Sequence, residues 1–371
     1  MRGKFPQPVS LVNALKLHEG ALRSPTGNFH HVLYLAEELV KLDEFDVRLL
    51  VDLDSYQPFA ERVGEQNLIT TALRGNSILA ADYAVWRAVR KLRPAIYHRP
   101  TGQIPFFPLS CRTVGGVADL NFISLPCALP KRLYKEASYR WTIRHADRVV
   151  CVSNFTRQDV ISRLRCPVEK LRVVYHGANQ LPAPDWAVHD RIPGSYWIAF
   201  AHQQHKNAEL CLQALADHRR INVASALVLI GENSYIEKKL KPLAQTLGVG
   251  KAVYFPGRVT AAELSGLYHK ALGLLFPTRF EGFGLPVLEA MQVGCPVICS
   301  NVCSLPEVAG DAAILVSPND LSGMEVAMQK IITSLSFRES LIKAGFAQAA
   351  RFSWVKAAKE TADIYREILK I

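Results

Sequence analysis

The chain has 371 residues, of which 49% are hydrophobic and 21% charged, a composition typical of globular proteins with a large core. At this length two domains are expected. No apolar run approaches the roughly 18 residues of a membrane-spanning helix, and the start of the chain favours a first β-strand over a signal peptide. The eight cysteines include no CxxC pair, which predicts reduced, buried thiols in a cytoplasmic protein without a metal site.

Positive charge is concentrated in the first half of the chain. Residues 1–178 contain 25 lysines and arginines against 16 acidic residues, whereas residues 179–371 contain 19 against 17. This asymmetry predicts an acidic partner for the first half, which leaves nucleic acid, an anionic membrane surface and a phosphorylated acceptor open. Nucleic acid ranks last because no motif interleaves aromatic with basic residues, and we expect no nucleic-acid partner.

In chain order, short β-branched segments alternate with amphipathic segments, a pattern that indicates an α/β fold with parallel sheets covered on both faces. The first half has predicted strands at 9–14, 47–51, 95–98, 113–117, 148–152 and 171–175, with helices at 29–42, 78–91, 131–145 and 156–164. A proline-containing segment, 177–194, is the expected linker. The second half has predicted strands at 196–200, 226–230, 252–255, 272–276, 297–299 and 313–316, with helices at 207–217, 237–247, 261–270, 286–292 and 323–333.

The most informative segment runs from Arg279 to Ala290 and reads RFEGFGLPVLEA. Glu281 precedes a glycine-containing turn, and Glu289 lies about a turn and a half into the helix that we predict after it. Glycines let the backbone N–H groups of such a turn approach a ligand closely, and the positive end of a helix favours phosphate. The segment therefore predicts a pocket for a nucleotide diphosphate sugar, with amides for the phosphates and carboxylates for hydroxyl groups.

This segment resembles the Glu-x7-Glu signature of the retaining glycosyltransferases of family 4, which have the GT-B fold. Further stretches that resemble the family are 146–155, 173–177, 255–259, 293–297 and 305–308. The resemblance implies two Rossmann-like doubly wound domains that face each other across a cleft. An acceptor domain would occupy 1–180 and a donor domain 195–352, and a C-terminal helix at 353–371 would cross back to the first domain.

The resemblance also implies roles for the residues of the signature. Glu289 would bind the ribose and Glu281 the hydroxyls of the donor sugar, which makes Glu281 a candidate catalytic residue. The backbone of the turn between them would hold the diphosphate. The turn residues that we expect in the donor site are Gly282, Phe283, Gly284 and Leu285.

Lys206 lies in a polar loop after the first strand of the second domain, where a lysine can neutralise a departing diphosphate. In the family the matching lysine contacts the donor phosphates, usually with an arginine a few residues earlier. This chain has no such arginine, and His202 and His205 are the candidates to replace it. Because Lys206 and the helix N-terminus supply positive charge, we expect no metal ion and no other cofactor. The alternative for Lys206 is a solvated lysine at a helix start.

Three further positions match the donor site of the family, each with a structural alternative. Arg258 and Val259 would frame the nucleotide base, although Arg258 could equally be a solvated turn arginine. Gly231 would let a ligand approach the end of the 226–230 strand, or it could simply end that strand. Gly27 matches a glycine loop near the donor phosphates, or it begins a helix.

The first domain departs from the family at Ala118, where many relatives have a histidine at the reactive carbon. Asp119 remains and could orient a hydroxyl, or it could cap the next turn. His98, at the end of the 95–98 strand, is a possible replacement for the missing histidine, or it is structural. We include Asp119 and His98 among the candidate catalytic residues.

Arg140, Arg144 and Arg148 recur at a spacing of four, which suits an anionic membrane surface or a solvated helix face. The expected activity is transfer of a mannose-like or related hexose, with retention, from a nucleotide diphosphate sugar to a glycan or lipid-linked acceptor. The setting would be assembly of a surface polysaccharide or lipopolysaccharide by a cytoplasmic or peripheral membrane enzyme. The alternatives are a non-catalytic nucleotide-sugar-binding subunit and a nucleotide-sugar epimerase of the same fold.

Overall fold

The computed structural model describes residues 7–371 apart from 16–17, 20–23, 26, 73–77, 193 and 221–224. The chain divides into two compact units. The first contains Met1–Gly177 together with Ser353–Ile371, and the second is Ala178–Phe352. Among the described residues, no helix combines the length and the apolarity that would let it cross a membrane.

The seven-stranded sheet of the first unit is entirely parallel, and a separate antiparallel pair joins His18–Glu19 to Ser24–Pro25. The strands of the sheet are β1 Val9–Ala14, β2 Asp46–Asp52, β3 Leu68–Thr71, β4 Ile96–Arg99, β5 Arg112–Val117, β6 Arg148–Cys151 and β7 Leu171–Val173. They lie in the order β3-β2-β1-β4-β5-β6-β7, so the strand order reverses between β1 and β4. Val12 lies opposite Leu49 on one side and His98 on the other.

Helices pack on this sheet through their apolar faces, which bury the side chains of its strands. They are α1 Gly27–Leu42, α2 Tyr56–Val63, α3 Ile78–Leu92, α4 Asn121–Ser124, α5 Leu129–His145, α6 Asn154–Leu164 and the terminal helix Trp354–Leu369. The terminal helix buries Tyr365 edge-on to Phe45, with ring centroids 5.2 Å apart. Gly177 allows this packing, since a Cβ atom there would lie 2.3 Å from the backbone nitrogen of Trp354.

The second unit repeats the plan with a parallel sheet. Its strands are β8 Tyr196–Phe200, β9 Ala226–Ile230, β10 Val253–Gly257, β11 Gly273–Phe276, β12 Val297–Ser300 and β13 Ile314–Val316. The order β10-β9-β8-β11-β12-β13 reverses between β8 and β11. In the centre, Ile198 lies opposite Val228 on one side and Leu274 on the other.

Several helices of the second unit begin at a residue whose side chain caps the helix, as Thr260, Asp320 and Ser334 do. The helices of this unit are α7 Ala208–Arg220, α8 Lys241–Thr246, α9 Ala261–Lys270, α10 Leu285–Gln292, α11 Leu305–Ala309, α12 Leu321–Thr333 and α13 Leu335–Ala349, and the terminal helix of the first unit is then α14. Thr260 and Glu263 form a capping box at the start of α9. A π-helical turn, Ile236–Leu240, precedes α8, where we predict one continuous helix.

The α/β fold class of the sequence analysis is confirmed by the two parallel, helix-covered sheets. The differences lie in short elements and in one longer helix, α13. The elements β3, α2, α4, α11 and α13 were not predicted, and β7 ends at Val173 where the prediction continues to residue 175.

Candidate functional site

The site lies at the carboxyl edge of the second sheet, at the point where its strand order reverses. The loop after β8 carries Lys206, and the loop after the neighbouring strand β11 carries Glu281. Crevices at such reversal points are where open α/β sheets bind their ligands. The topology therefore brings together two residues that are 75 positions apart in the chain.

Lys206 and Glu281 form an ion pair, with Nζ of the lysine 2.5 Å from Oε2 of the glutamate. Their side chains are only 7% and 18% exposed. The ammonium also lies 4.8 Å from the centroid of the Phe276 ring. A buried charge requires a partner, so the pair explains how this lysine stays buried. Lys206 is therefore not the solvated lysine that the sequence left open as its alternative.

Backbone bonds connect the two loops of the pair. The amide of Arg279 donates to the carbonyl of His205 at 2.8 Å, and the hydroxyl of Thr278 lies 3.1 Å from the same oxygen. On the β8 side, Asn207 has the left-handed φ of 62° and donates its side-chain amide to the carbonyl of Pro277 at 3.1 Å. These contacts fix the positions from which Lys206 and Glu281 extend.

Buried hydroxyls support the loop that carries Glu281. Ser304 Oγ lies 3.0 Å from the carbonyl oxygen of Glu281 and 2.9 Å from that of Phe283. Ser300 donates to the carbonyl of Thr278 at 2.6 Å. All three hydroxyl residues have no solvent exposure. The loop is therefore held by side chains from the next strand and the turn that follows it, and no sequence pattern marks these serines.

The glycine turn leads directly into α10. Gly284 precedes the helix with a φ of 106°, a conformation that favours glycine. A Cβ atom at this position would lie 2.6 Å from Cδ2 of Leu305, so glycine is required for packing as well. Gly282 and Phe283 are buried in the same turn, and Leu285 begins the helix. The turn and helix start therefore have the form from which we predict phosphate binding.

Glu289 lies on α10 and has a partner that the sequence analysis did not find. The side-chain amide of Asn179 donates to Oε1 of Glu289 at 2.7 Å. Burial raises the pKa of this carboxyl group, and the hydrogen bond from Asn179 opposes the rise. Asn179 is a polar residue just after the 173–177 stretch, which was the available sequence signal. The contact could not be predicted because Asn179 and Glu289 are 110 positions apart.

The histidines before Lys206 do not replace the missing arginine as a charge. Desolvation, together with the charge of Lys206, lowers the pKa of His205 to about 4. The pKa of His202 is lowered by the same two causes. Both imidazoles are therefore neutral near pH 7, and they can only donate or accept hydrogen bonds. Lys206 is the cation that this loop contributes to the pair with Glu281.

Gly231 and Arg258 fit their structural alternatives, a strand-ending glycine and a solvated turn arginine. Gly231 has a φ of 145°, and a Cβ atom there would lie 2.7 Å from the backbone nitrogen of His202, so the chain itself makes the close approach. Arg258 is half exposed, with Nε 3.6 Å from a carboxylate oxygen of Glu232. Val259, next to it, is partly buried in the turn before α9.

The candidate residues of the first unit do not form a cluster like that of Lys206 and Glu281. His98 is buried in the core, with Nδ1 2.7 Å from the Tyr365 hydroxyl on α14. This enclosure supports the structural interpretation of His98 and gives it no access to a substrate. Asp119 accepts a hydrogen bond from the amide of Asn121 at 2.9 Å, which caps the next turn. Gly27 begins α1 and is exposed.

Asp52 and Asp54 form an Asp-x-Asp sequence at the end of β2, which the prediction of metal-free binding did not take into account. Asp52 is buried, and its Oδ1 accepts a hydrogen bond from the amide of Ser55 at 2.9 Å. Within the described part of the chain, no three side chains of the metal-binding types come together. Asp52 therefore has a local role in the turn after β2.

Two of the three arginines in the predicted basic stripe already have acidic partners. Arg140 pairs with Glu136 at 2.8 Å within α5, and Arg148 pairs with Glu367 of α14 at 2.6 Å. Arg144 is exposed. Carboxylates therefore balance two of the three positive charges of this stripe, which weakens the case for a membrane-binding face. The exposed start of α5 instead combines Lys131 and Arg132 with exposed leucines at 129 and 133.

Two units, each built on a helix-covered parallel sheet, have the α/β architecture of the GT-B glycosyltransferases. A family model described as "Glycosyl transferases group 1" matches residues 200–348, and one described as "Glycosyltransferase Family 4" matches residues 27–180. The chain belongs to the group 1 glycosyltransferases.

Among individual proteins, the chain is similar to O-antigen chain mannosyltransferase B of Escherichia coli. The two are 30% identical over 294 residues, which cover 75% of this chain and 76% of that protein. It is 28% identical over 245 residues to the serotype-specific mannosyltransferase WbdA of Escherichia coli, but covers only 29% of that longer protein. Among solved structures, HepE from Anabaena in complex with UDP-glucose has a TM-score of 0.78 at 16% identity. That match covers 96% of this chain and 99% of HepE, and it shows the shared fold.

Proposed function

We propose that the protein transfers a mannose-like hexose from a nucleotide diphosphate sugar to a hydroxyl of a glycan or lipid-linked saccharide. The assembly of a surface polysaccharide or lipopolysaccharide is the proposed setting. The observation that carries the proposal is the buried pair of Lys206 and Glu281, with Glu289 on the helix that follows. The names of the two mannosyltransferases support mannose as the sugar, and the structure of HepE with UDP-glucose supports a nucleotide sugar as the donor.

In this proposal the donor separates the ion pair and uses both of its members. Lys206 moves its ammonium to the diphosphate, where it neutralises the charge that develops as the sugar leaves. Glu281 is then free to accept hydrogen bonds from hydroxyls of the sugar. Because each charge exchanges one partner for another, neither is left alone in a site that excludes water. The amides at the start of α10 provide further positive potential for the phosphates.

Glu289 binds the ribose in the proposed complex. An ionised carboxylate accepts two hydroxyl hydrogen bonds well, whereas a protonated one must also donate. Burial raises the pKa of Glu289, and the bond from Asn179 favours the ionised form. Asn179 is therefore a positioning residue, which keeps the carboxylate charged and correctly oriented.

The proposed transfer retains the anomeric configuration, as the family resemblance implies. The bond between the anomeric carbon and the phosphate oxygen breaks, and the bond to the acceptor oxygen forms on the same face of the sugar. The departing phosphate oxygen takes the proton of the acceptor hydroxyl, so atoms and charges balance without a covalent enzyme intermediate. Lys206 and the helix N-terminus supply the positive charge, and no metal ion is required in this scheme.

The test compares Glu281→Gln with Glu289→Gln, since glutamine keeps the shape and removes only the charge. Titration calorimetry with UDP, GDP and dTDP in EDTA measures binding without metal. We expect Glu289→Gln to weaken binding of the preferred diphosphate about 10- to 100-fold, as loss of a charged hydrogen bond predicts. Glu281→Gln should keep nucleotide binding and slow the release of diphosphate from the sugar donor.

Glu281→Gln is preferred to alanine because alanine would leave Lys206 buried beside an empty space. The exposed Glu237 provides a matched control as Glu237→Gln, since it lies in the same unit and pairs with Lys241 at the surface. Equal losses of nucleotide affinity in both site variants would contradict the assignment of sugar and ribose. Binding that appears only with added Mg²⁺ or Mn²⁺ would contradict the metal-free site.

A further inference from the structure

A second pocket lies in the first unit, at the strand reversal that corresponds to the one in the second unit. Its floor is formed by residues of β1 and β4, the two strands between which the order changes. The cavity has a volume of about 100 Å³, which is the liquid volume of roughly three water molecules. Its polar and aromatic lining includes Asn13, Asp82, Tyr97, Arg99, Phe106 and Tyr134.

The floor of this pocket is a fixed polar network. Oδ1 of Asn13 accepts hydrogen bonds from Nη1 of Arg99 at 2.5 Å and from the amide of Leu15 at 2.9 Å. The amide group of Asn13 donates to the Tyr97 hydroxyl at 2.6 Å. Nε of Arg99 donates to the carbonyl of Thr101 at 3.1 Å. Arg99 donates these two hydrogen bonds to neutral oxygens. They orient its guanidinium, but they do not neutralise its positive charge.

The walls of the pocket add a carboxylate and an aromatic surface. Oδ2 of Asp82 lies 3.3 Å from the amide nitrogen of Phe106, which holds the Phe106 loop against α3. The Phe106 and Tyr134 rings meet at a centroid distance of 6.1 Å. They are 41% and 39% exposed, so each ring presents an apolar surface at the mouth of the pocket. The pocket therefore combines a donor, an acceptor and two rings.

This combination fits a neutral sugar better than an anion or a hydrocarbon. Hydroxyl groups both donate and accept, so they can bond the Asp82 carboxylate and the Arg99 guanidinium together. The C–H groups of a pyranose can lie against the exposed rings, as apolar surfaces do. The Asp82 carboxylate would repel a phosphate. A purely apolar ligand would bury the Arg99 charge without adding a hydrogen-bond partner for it.

We propose that this pocket binds the terminal pyranose of the acceptor, with the edge of the ring in the cavity and one face on Phe106 and Tyr134. The inference rests on the proposed function, because it assigns the acceptor sugar of the same transfer. Arg99 and Asp82 are the residues that select its hydroxyls.

The experiment uses methyl α-D-mannopyranoside as the probe and the full-length protein, with saturation-transfer NMR and titration to measure affinity. We expect Phe106→Ala to weaken binding of the probe about tenfold, since the stacked ring is lost. Asp82→Asn should weaken it by a similar factor through loss of a charged acceptor. Tyr83→Ala is the matched control, because Tyr83 is a 58% exposed aromatic residue of the same helix α3 that stacks on Trp86.

The donor site is tested in the same samples, so the two proposals can fail separately. Glu289→Gln should lose nucleoside diphosphate affinity and keep affinity for the methyl mannoside. Probe binding that is unaffected by both Phe106→Ala and Asp82→Asn, or that Glu281→Gln abolishes, would overturn the assignment of this pocket. Displacement of the probe by millimolar inorganic phosphate would also overturn it, because it would show an anion site. A parent protein that binds the methyl mannoside but no nucleoside diphosphate would overturn the proposed function and leave the sugar pocket standing.

Discussion

Asn179 controls the charge of Glu289, and this gives the proposed ribose contact a pH dependence. The pKa of Glu289 is already raised by burial, and removal of the Asn179 bond raises it further. Nucleotide binding by the ionised carboxylate is lost as pH falls through that pKa. We therefore expect Asn179→Ala to lose binding at a higher pH than the parent does.

Calorimetric titration of nucleoside diphosphate across a pH series measures this shift. At a fixed pH near neutrality the variant should bind about 10- to 100-fold more weakly, the effect of one hydrogen bond to a charged group. Asn319→Ala, at an exposed asparagine of the same unit, is the control. A uniform loss of affinity at every pH would mean that Asn179 acts on shape alone.

Buried histidines make the first unit sensitive to acid. Burial lowers the pKa values of His31 and His98 to about 3 from the usual 6.5. The unfolded chain therefore binds more protons than the folded one between these values. The stability that depends on neutral imidazole is complete above about pH 6.5 and is lost as pH falls towards 3. Each histidine contributes a slope of about 1.4 kcal/mol per pH unit in this range.

Chemical unfolding between pH 7.5 and 5 measures the slope. Glu367, whose pKa is lowered to about 2 by Arg148 and Arg172, loses its own contribution only below about pH 4.5 and does not affect this window. His31→Phe should flatten the profile, because phenylalanine can keep the ring contact with Trp354 without binding a proton. A parent whose stability is constant from pH 7.5 to 5 would contradict the prediction.

Glu281 lies on a loop, and hydrogen bonds from side chains outside this loop hold it in place. Ser304 serves the carbonyl oxygens of both Glu281 and Phe283 with one hydroxyl. We expect Ser304→Ala to lower the free energy of unfolding of the second unit by about 1–3 kcal/mol, because the two carbonyls lose the one hydroxyl proton that they share. Urea unfolding measures this effect, and Ser336→Ala, at an exposed serine, is the control. A loss no larger than that of the control would show that the loop is held without this hydroxyl.

The long elements could be predicted from the sequence because their hydrophobic period is determined locally. The strands at 9–14, 196–200 and 226–230 are buried throughout or nearly so and were predicted with their observed bounds. By contrast, β3 is an edge strand of partly exposed residues, so it lacks the apolar run that identifies a buried strand. Helix α13 has buried residues without a clear apolar stripe, and periodicity could not find it.

The members of the proposed donor site were selected from the sequence, but the contacts between them were not predicted. Lys206 and Glu281 were each selected for a separate role, and their pairing depends on the adjacency of β8 and β11. Asn179 and Ser304 act through hydrogen bonds to residues distant in sequence, for which one sequence gives no signal. His98 and Gly231 matched family positions or strand ends, but in this structure packing accounts for both of them.

At the scale of the whole molecule, the positive charge of the first half motivates a reversible attachment to an anionic membrane. The exposed start of α5 is the best candidate, because Lys131 and Arg132 lie beside Leu129 and Leu133. Each basic residue near such a surface contributes about 1 kcal/mol. We expect Arg132→Glu to reduce co-sedimentation with liposomes containing anionic lipid.

Arg140→Glu is the matched control, since it makes the same change in charge on the same helix at a residue that already pairs with Glu136. Salt at a few tenths molar should release the parent, because the Debye length falls below about 8 Å. Sedimentation that ignores lipid charge, or equal losses in the two variants, would show that the start of α5 does not contact the membrane.

The place of α14 determines the order in which the protein can mature on the ribosome. The first unit needs residues 353–371 to cover its core, and these residues are synthesised only after the whole of the second unit. At about 5–20 residues per second, the ribosome spends roughly nine to thirty-five seconds on the second unit in between. During that interval α14 is not yet available to the side chains of α1 and the first sheet that share a core with it in the folded protein. The core of the first unit is thus closed only after the second unit has been synthesised.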